Sequence, residues 1–214
     1  MALNINGTTG ISGVDGSVSA PALTGTDSNT GITFPSADTI KFSTGGVERM
    51  SITNSGISGI TSGITMADQW RISTSYSASS GASTLTANWE RNDTTGFTGI
   101  GSAMTQSSGI FSFPSTGIYL IRFYARGFGG NVQYAGNYIQ TGISGTYTTA
   151  ADSFDSAGNS SNYYFNNSTE TIFDVTNTST HTVRFAVETS ASVAYDGNSA
   201  QNVTYVTFMR LGDT

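Results

Sequence analysis

The sequence predicts an all-β protein in two parts: an N-terminal shaft of intertwined strands over residues 1–65 and a β-sandwich head over residues 66–214. Three observations carry this. Only 36% of the residues are hydrophobic and 10% are charged; 26 Gly and runs of Ser, Thr and Asn fill the deficit. That composition suits short strands and turns and suits helices poorly. The chain nevertheless holds 12 Phe, 10 Tyr and 2 Trp, an aromatic content foreign to disordered polymers. Finally, every Trp and Tyr lies after residue 65, so the two parts cannot be built around the same kind of core.

In the shaft the tripeptide Gly-Ile-Ser/Thr recurs at Gly10, Gly31, Gly56, Gly59 and Gly63 without a strict period. A collagen helix and a regular solenoid are thereby excluded. The clearest local element is a hairpin in "DTIKFSTGGVERMSIT": Ile40 and Phe42 alternate with polar residues, Gly45-Gly46 supplies the turn, and a second alternating run starts at Val47. A lone hairpin is marginal in water. The large apolar side chains here are too few for a private core, so the segment is expected to bury its Ile and Phe against copies of itself.

The head begins near Trp70. "WRISTSY", "STLTANWERND" and "GIFSF" read as strands. A turn at Pro114 and Gly117 then leads into the densest apolar run, 118–126. Alternation puts Tyr119, Ile121, Phe123 and Ala125 on one face and Leu120, Arg122, Tyr124 and Arg126 on the other. The first face is core. The second mixes aromatics with two Arg, which suits contact with another subunit. "QYAGNYIQ", "ETIFDVTN", "HTVRFAVET" and "NVTYVTFMRLGD" add further strands, with 170–177 and 181–189 read as a hairpin about Thr178-Ser179-Thr180. Eight or more short strands with polar loops point to a sandwich of jelly-roll type.

Several function classes drop out on composition. The net charge is −6 and the only Lys is Lys41, so no nucleic-acid partner is expected. Cysteine is absent, which removes disulfides, thiolate metal sites and thiol catalysis. The N-terminus has no basic and apolar signal pattern and no stretch approaches a membrane span, so the expected place of synthesis is a cytoplasm, with no membrane insertion.

"FSFPSTGIYLIRF", followed by a terminal "TYVTFMRLGD", resembles the globular heads of complement component and tumour necrosis factor (TNF) ligands. Phe111, Pro114, Gly117, Tyr119 and Phe123 match the first signature, and Tyr205, Phe208 and Leu211 the second. The passages "ADQWRI", "NWERND" and "GITFPSADTIKFSTGGVERMSI" are similar to marine bacteriophage tail-fibre and related virion proteins. The chain departs from the eukaryotic heads in having neither a collagen stalk nor Cys. The resemblance implies a TNF-like jelly-roll head that forms a homotrimer about a three-fold axis, with Leu120, Arg122 and Tyr124 at the trimer seam.

Catalytic candidates are sparse. His181 is the only histidine and lacks partners in the sequence. Glu90 and Asp93 form an acidic pair within one loop, a spacing that says nothing about separation across a substrate. Asp152, Asp155 and Asp196 have the residue type for calcium but no EF-hand spacing, and serve equally as turn formers. No enzyme motif, cofactor or metal is expected. Clusters of Tyr, Asn and Ser, the palette of adaptable recognition loops, occur at Tyr134, Asn137 and Tyr138 and at Tyr163, Tyr164 and Asn166. They read either as loops contacting a host surface glycan or protein, or as filling for the core and the trimer seam.

The resulting expectation is a non-enzymatic virion structural protein made in the host cytoplasm: a short trimeric tail fibre, attached to other virion proteins through residues 1–65, with the head facing the host. A trimeric capsid decoration protein is the alternative. A surface polysaccharide depolymerase is a third reading, which would call for acidic pairs on a long β-helix.

Overall fold

A computed structural model describes residues 4–6, 10–12, 15–59, 63–156 and 163–214. Ile60 and Thr61 of the Gly-Ile-Thr series and residues 157–162 of the Asn/Ser-rich segment lie outside the described residues. All regular elements among those described are strands. The chain divides into two compact units, Met1–Ser62 and Gly63–Thr214.

In the first unit β1 (Asn4–Asn6) pairs with β2 (Gly10–Ser12), and β3 (Gly16–Ser17) with β4 (Ala20–Pro21). A five-stranded antiparallel meander follows: β5 (Leu23–Thr24), β6 (Gly31–Thr33), β7 (Ile40–Thr44), β8 (Val47–Thr53) and β9 (Gly56–Ser58). The expected β7–β8 hairpin is present. Gly45 and Gly46 turn it with φ of 60° and 73°, the doubly left-handed geometry that two-residue hairpins require.

Register sorts the meander's side chains by chemistry. Leu23, Ile32, Phe42 and Met50 pair in one row across four strands, and Ile40, Ile52 and Ile57 in the next. All seven share one face. Thr33, Ser43 and Ser51 lie on the other and are buried. There Pro21 packs so close to Gly31 that a Cβ on the glycine would stand 2.9 Å from the Pro21 Cβ. The apolar face is the open one: Leu23, Phe34 and Ile57 are exposed, Ile57 at 63%.

The second unit is a two-sheet sandwich. Its strands are β10 (Met66–Ile72), β11 (Tyr76–Ala78), β12 (Gly81–Thr84), β13 (Trp89–Arg91), β14 (Thr105–Ser107), β15 (Ile110–Ser112), β16 (Gly117–Gly129), β17 (Tyr134–Ile143), β18 (Thr146–Ser156), β19 (Tyr163–Val175), β20 (His181–Thr189), β21 (Val193–Tyr195) and β22 (Tyr205–Gly212). One sheet runs β13-β10-β22-β16-β19, with β21 and β11 continuing from the far end of β16. The other runs β14-β15-β20-β17-β18, with β12 also on β20. All pairings are antiparallel, and the chain repeatedly crosses between sheets, as in a jelly roll.

The core face read for β16 is borne out. Tyr119, Ile121, Phe123 and Ala125 are fully buried in the core. The Tyr119 hydroxyl donates to the Ser115 carbonyl at 2.9 Å, closing the Pro114 turn that starts the strand. Phe111 is the hub of the aromatic core, with ring centroids 5.1–5.6 Å from those of Trp70, Trp89, Phe185 and Phe208.

Two expectations are corrected. The segments 170–177 and 181–189 are not a hairpin: β19 pairs with β16, and β20 with β17, β15 and β12. The loop between them, residues 176–180, spans the gap between the two layers, a distance of about 10 Å that five residues can cover. The stretch 146–156 is a long strand, β18, although no strand was expected there. It pairs along all of β17 through a tight turn at Ser144 and Gly145.

Candidate functional site

The outer face of the β16 sheet is organised in rows set by register. Ile172, Leu120, Met209 and Ala67 line up across β19, β16, β22 and β10, and Ile100 extends the row through its bridge to Ala67. The row is apolar throughout, with Ile172 64% exposed and Ile100 also open to solvent. Beside it a groove of about 470 Å³ is lined by Ala67, Phe97, Ile100 and Met209 among others.

The next row is polar: Glu170, Arg122, Thr207 and Gln69. Arg122 Nε stands 3.7 Å from Glu170 Oε2 with both side chains more than half exposed, a pair that adds little stability in water. The third row places the rings of Tyr124 and Tyr205 with centroids 5.6 Å apart. Leu120, Arg122 and Tyr124 thus share one outward face, and Leu120 and Tyr124 are only partly buried within the chain. Their neighbours Ile172 and Met209 were invisible in the sequence, because only register brings them together.

Arg71 also occupies an outward position, opposite Tyr205, yet it is fully buried. Residues 92–94 and 199 fold over it and take four of its five donors, and Glu90 takes the fifth. Nη1 donates to Asn92 Oδ1 at 3.0 Å and Thr94 Oγ1 at 2.7 Å, Nη2 to Asp93 and the Ser199 carbonyl, and Nε to Glu90 Oε2 at 3.5 Å. The acidic pair Glu90 and Asp93 is therefore occupied in holding an arginine. Asp68, also buried, accepts from Arg91 Nε at 2.8 Å, Trp70 Nε1 at 3.0 Å and the Met104 amide at 2.9 Å.

The residues proposed for host contact are strand residues, not loop residues, and they divide between the two sheets. On β17, Tyr134 and Tyr138 point outward. Asn137 points inward and is fully buried, where its Nδ2 donates to the carbonyls of Phe123 at 3.3 Å and Asn167 at 3.1 Å. Asn137 is thus a link between sheets and unavailable to any external partner. On β19, Tyr163 packs against the core and donates its hydroxyl to the Val132 carbonyl. Tyr164 and Asn166 are exposed and lie on the same outward face as Leu120, with the Tyr164 ring 4.9 Å from Phe128 and the Arg126 guanidinium 5.3 Å above it.

Around Tyr134 and Tyr138 the second sheet gathers groups that sequence reading missed. Both hydroxyls bond Glu188 of β20, Tyr134 to Oε1 at 3.4 Å and Tyr138 to Oε2. Burial, and then the Glu188 carboxylate, hold the Tyr138 phenol well above its ordinary range. Phe154 of β18 stacks against both tyrosines at 6.0 and 5.5 Å. Its alternation with Asp152 was the available signal, obscured by the small polar residues around it.

His181 is buried beside Phe173, its ring nitrogens bonded to Thr180 and Thr176. Asp196 pairs with Arg126 at 2.9 Å, and Asp152 and Asp155 are exposed on β18. Among the described residues no group of three or more His, Asp or Glu is placed to hold a metal ion.

No protein-family model and no curated protein matches the chain. Solved structures do resemble it. Murine APRIL aligns with a TM-score of 0.51 at 15% identity, over 68% of this chain and 98% of that one. Eiger TNF from S. frugiperda aligns with a TM-score of 0.50 at 11% identity, over 70% of this chain and 94% of its own. At such identities the likeness is one of fold, and the fold is a TNF-like jelly roll.

Proposed function

We propose that the protein is a non-enzymatic, homotrimeric structural component of a bacteriophage particle, a short tail fibre. Residues 1–65 form the shaft and attach to other virion proteins, and the head over 66–214 faces the host surface. The observation that carries the assembly is the pair of register-aligned apolar faces, one on the meander of the first unit and one on the β16 sheet of the second. Each displays Ile, Leu, Met or Phe side chains in contiguous rows that a lone chain covers only in part. Rows of this kind mark association surfaces, and copies of the same chain supply matching ones. The likeness of 31–52, 67–72 and 88–93 to phage virion proteins supports the location, and the exposed Tyr134, Tyr164 and Asn166, with the partly buried Tyr138, are the candidates for host contact.

Light scattering should give a mass three times the 22.3 kDa of the chain; a compact monomer would overturn the assembly. A gold label on the head, imaged on intact particles, should decorate the tail. Label spread over the shell would assign the trimer to capsid decoration instead, and particles that carry no label would remove the virion reading.

A further inference from the structure

The outer faces of the two head sheets differ in chemistry. That of the β16 sheet is crossed by an apolar row. On the second sheet, the large outward side chains carry a hydrogen-bonding group or sit beside one. Phe154, 47% exposed, lies over Gly136, where a Cβ would meet its ring at 2.6 Å; seated on that glycine, the ring keeps an outward side open. Tyr134, 38% exposed, and Tyr138 flank it with their hydroxyls on Glu188, and the exposed Asp152 sits opposite Tyr138.

Four residues along β20 stands Arg184. Its guanidinium is 4.1 Å from the centre of the Tyr147 ring, and its Nε donates to Gln140 Oε1 at 2.7 Å. The Nη donors have no side-chain or backbone acceptor among the described residues and face solvent. Strand rise separates the Phe154 seat from the Arg184 anchor by roughly 13 Å along the strands, with a further lateral step of about 10 Å from β18 to β20, and Glu188, Tyr138 and Gln140 lie between them.

We infer that this face is a platform for a neutral oligosaccharide, the Phe154 ring seating the C–H face of one hexopyranose and Arg184, Glu188 and Gln140 engaging hydroxyls of the next two or three. The inference rests on the reading above in that the head must face outward. The chemistry selects the occupant. An apolar protein surface would desolvate Glu188, Asp152 and Arg184 without pairing them. A polyanion would meet two carboxylates. Sugar hydroxyls both donate and accept, so they satisfy carboxylate, amide and guanidinium alike.

The test is saturation-transfer NMR of the full chain with four neutral hexasaccharides: α-1,4-glucose, β-1,4-glucose, β-1,3-glucose and β-1,4-mannose. At least one should show transfer. Phe154→Ala and Arg184→Ala should each weaken it about tenfold with unchanged mass and circular dichroism, whereas Ser168→Ala, at an exposed position on the other sheet, should leave it unaltered. The inference is overturned if none of the four shows transfer, or if Phe154→Ala binds as the parent does. It is equally overturned if Phe154→Ala alters the mass, which would make the face an assembly surface. A trimer on particles that takes no sugar removes this inference alone. A monomer that takes it removes the assembly alone.

Discussion

Leu120 of β16 and Ile172 of β19 stand directly opposite each other on the outside of the sheet, and Ile172 keeps 64% of its surface open to solvent. Leu120 is only partly buried within the chain, so the pair would gain further cover from a second surface closing over it. Leu120→Asp separates the two roles. In the monomer the new carboxylate stays hydrated. In a trimer whose seam includes Leu120 it is an unpaired charge removed from water, a severe penalty. The expected result is native circular dichroism with a mass that falls from trimer to monomer. A variant that remains trimeric with an unchanged melting temperature would place the seam elsewhere.

Phe111 joins the two tryptophans to Phe185 and Phe208, and no part of it is exposed. Phe111→Ala should lower head stability by about 3–5 kcal/mol through lost contacts and the cavity left behind, read as the shift of the urea midpoint. Ile172→Ala, on the open face, should change a dissociated chain by under about 0.5 kcal/mol. If the two variants cost the same, the hub is not where the rings place it.

Arg71 ties residues 92–94 and Ser199 to β10. In Arg71→Met the freed carboxylates of Asp93, 71% exposed, and Glu90, 29% exposed, reach water; the Ser199 carbonyl and the Asn92 amide lose their buried donor. A loss of about 1–3 kcal/mol is expected, with faster hydrogen exchange at the Thr94 and Ala200 amides, which now donate to Asn92 and Asn198 side chains. Unchanged exchange at both positions would show that the arginine does not hold these segments.

Tyr195 is fully buried, and that burial raises its phenol above the ordinary value of 10.0. Tyr138 is raised in the same direction. The folded state retains these protons longer than the unfolded chain does, so their contribution is complete below the ordinary value and is lost as pH climbs from there towards the raised one. Urea midpoints should hold up to about pH 10 and fall beyond it, with a smaller fall in Tyr195→Phe. An identical alkaline fall in that variant would assign the effect to other groups.

What the sequence discloses depends on how strongly burial marks a strand. β16 was legible because alternate positions carry Tyr, Ile, Phe and Ala destined for the core. β18 was not: it lies at a sheet edge, its positions opposite the inward Ala135, Asn137 and Ile139 are Asp, Ser and Ala, and its two large rings, Tyr147 and Phe154, face out. The supposed hairpin between β19 and β20 failed for a different reason, since a short loop serves equally for a turn within a layer and for a step between layers. The outward face of Leu120, Arg122 and Tyr124 could be anticipated from period alone. Its completion by Ile172 and Met209, and the gathering of Phe154 with Glu188, depend on register between strands far apart in sequence, which period does not encode. Asn137 misled because Asn in a Tyr-rich run resembles a recognition residue; here it bridges two carbonyls from β16 and β19.

The meander of the first unit turns Thr33, Ser43 and Ser51 inward and Leu23, Phe42, Ile52 and Ile57 outward, so its gradient of polarity runs opposite to that of an ordinary half-buried sheet. In a lone chain Leu23 and Ile57 already stand in water and Phe42 and Ile52 are only partly covered, so unfolding this sheet exposes less new apolar surface than unfolding one whose apolar face is covered. Its heat-capacity increment and its denaturant dependence, both of which scale with newly exposed surface, must therefore be smaller than those of a covered sheet. A broad, shallow transition is the signature of the isolated sheet, and a steep one can come only from a state in which its isoleucines have found cover.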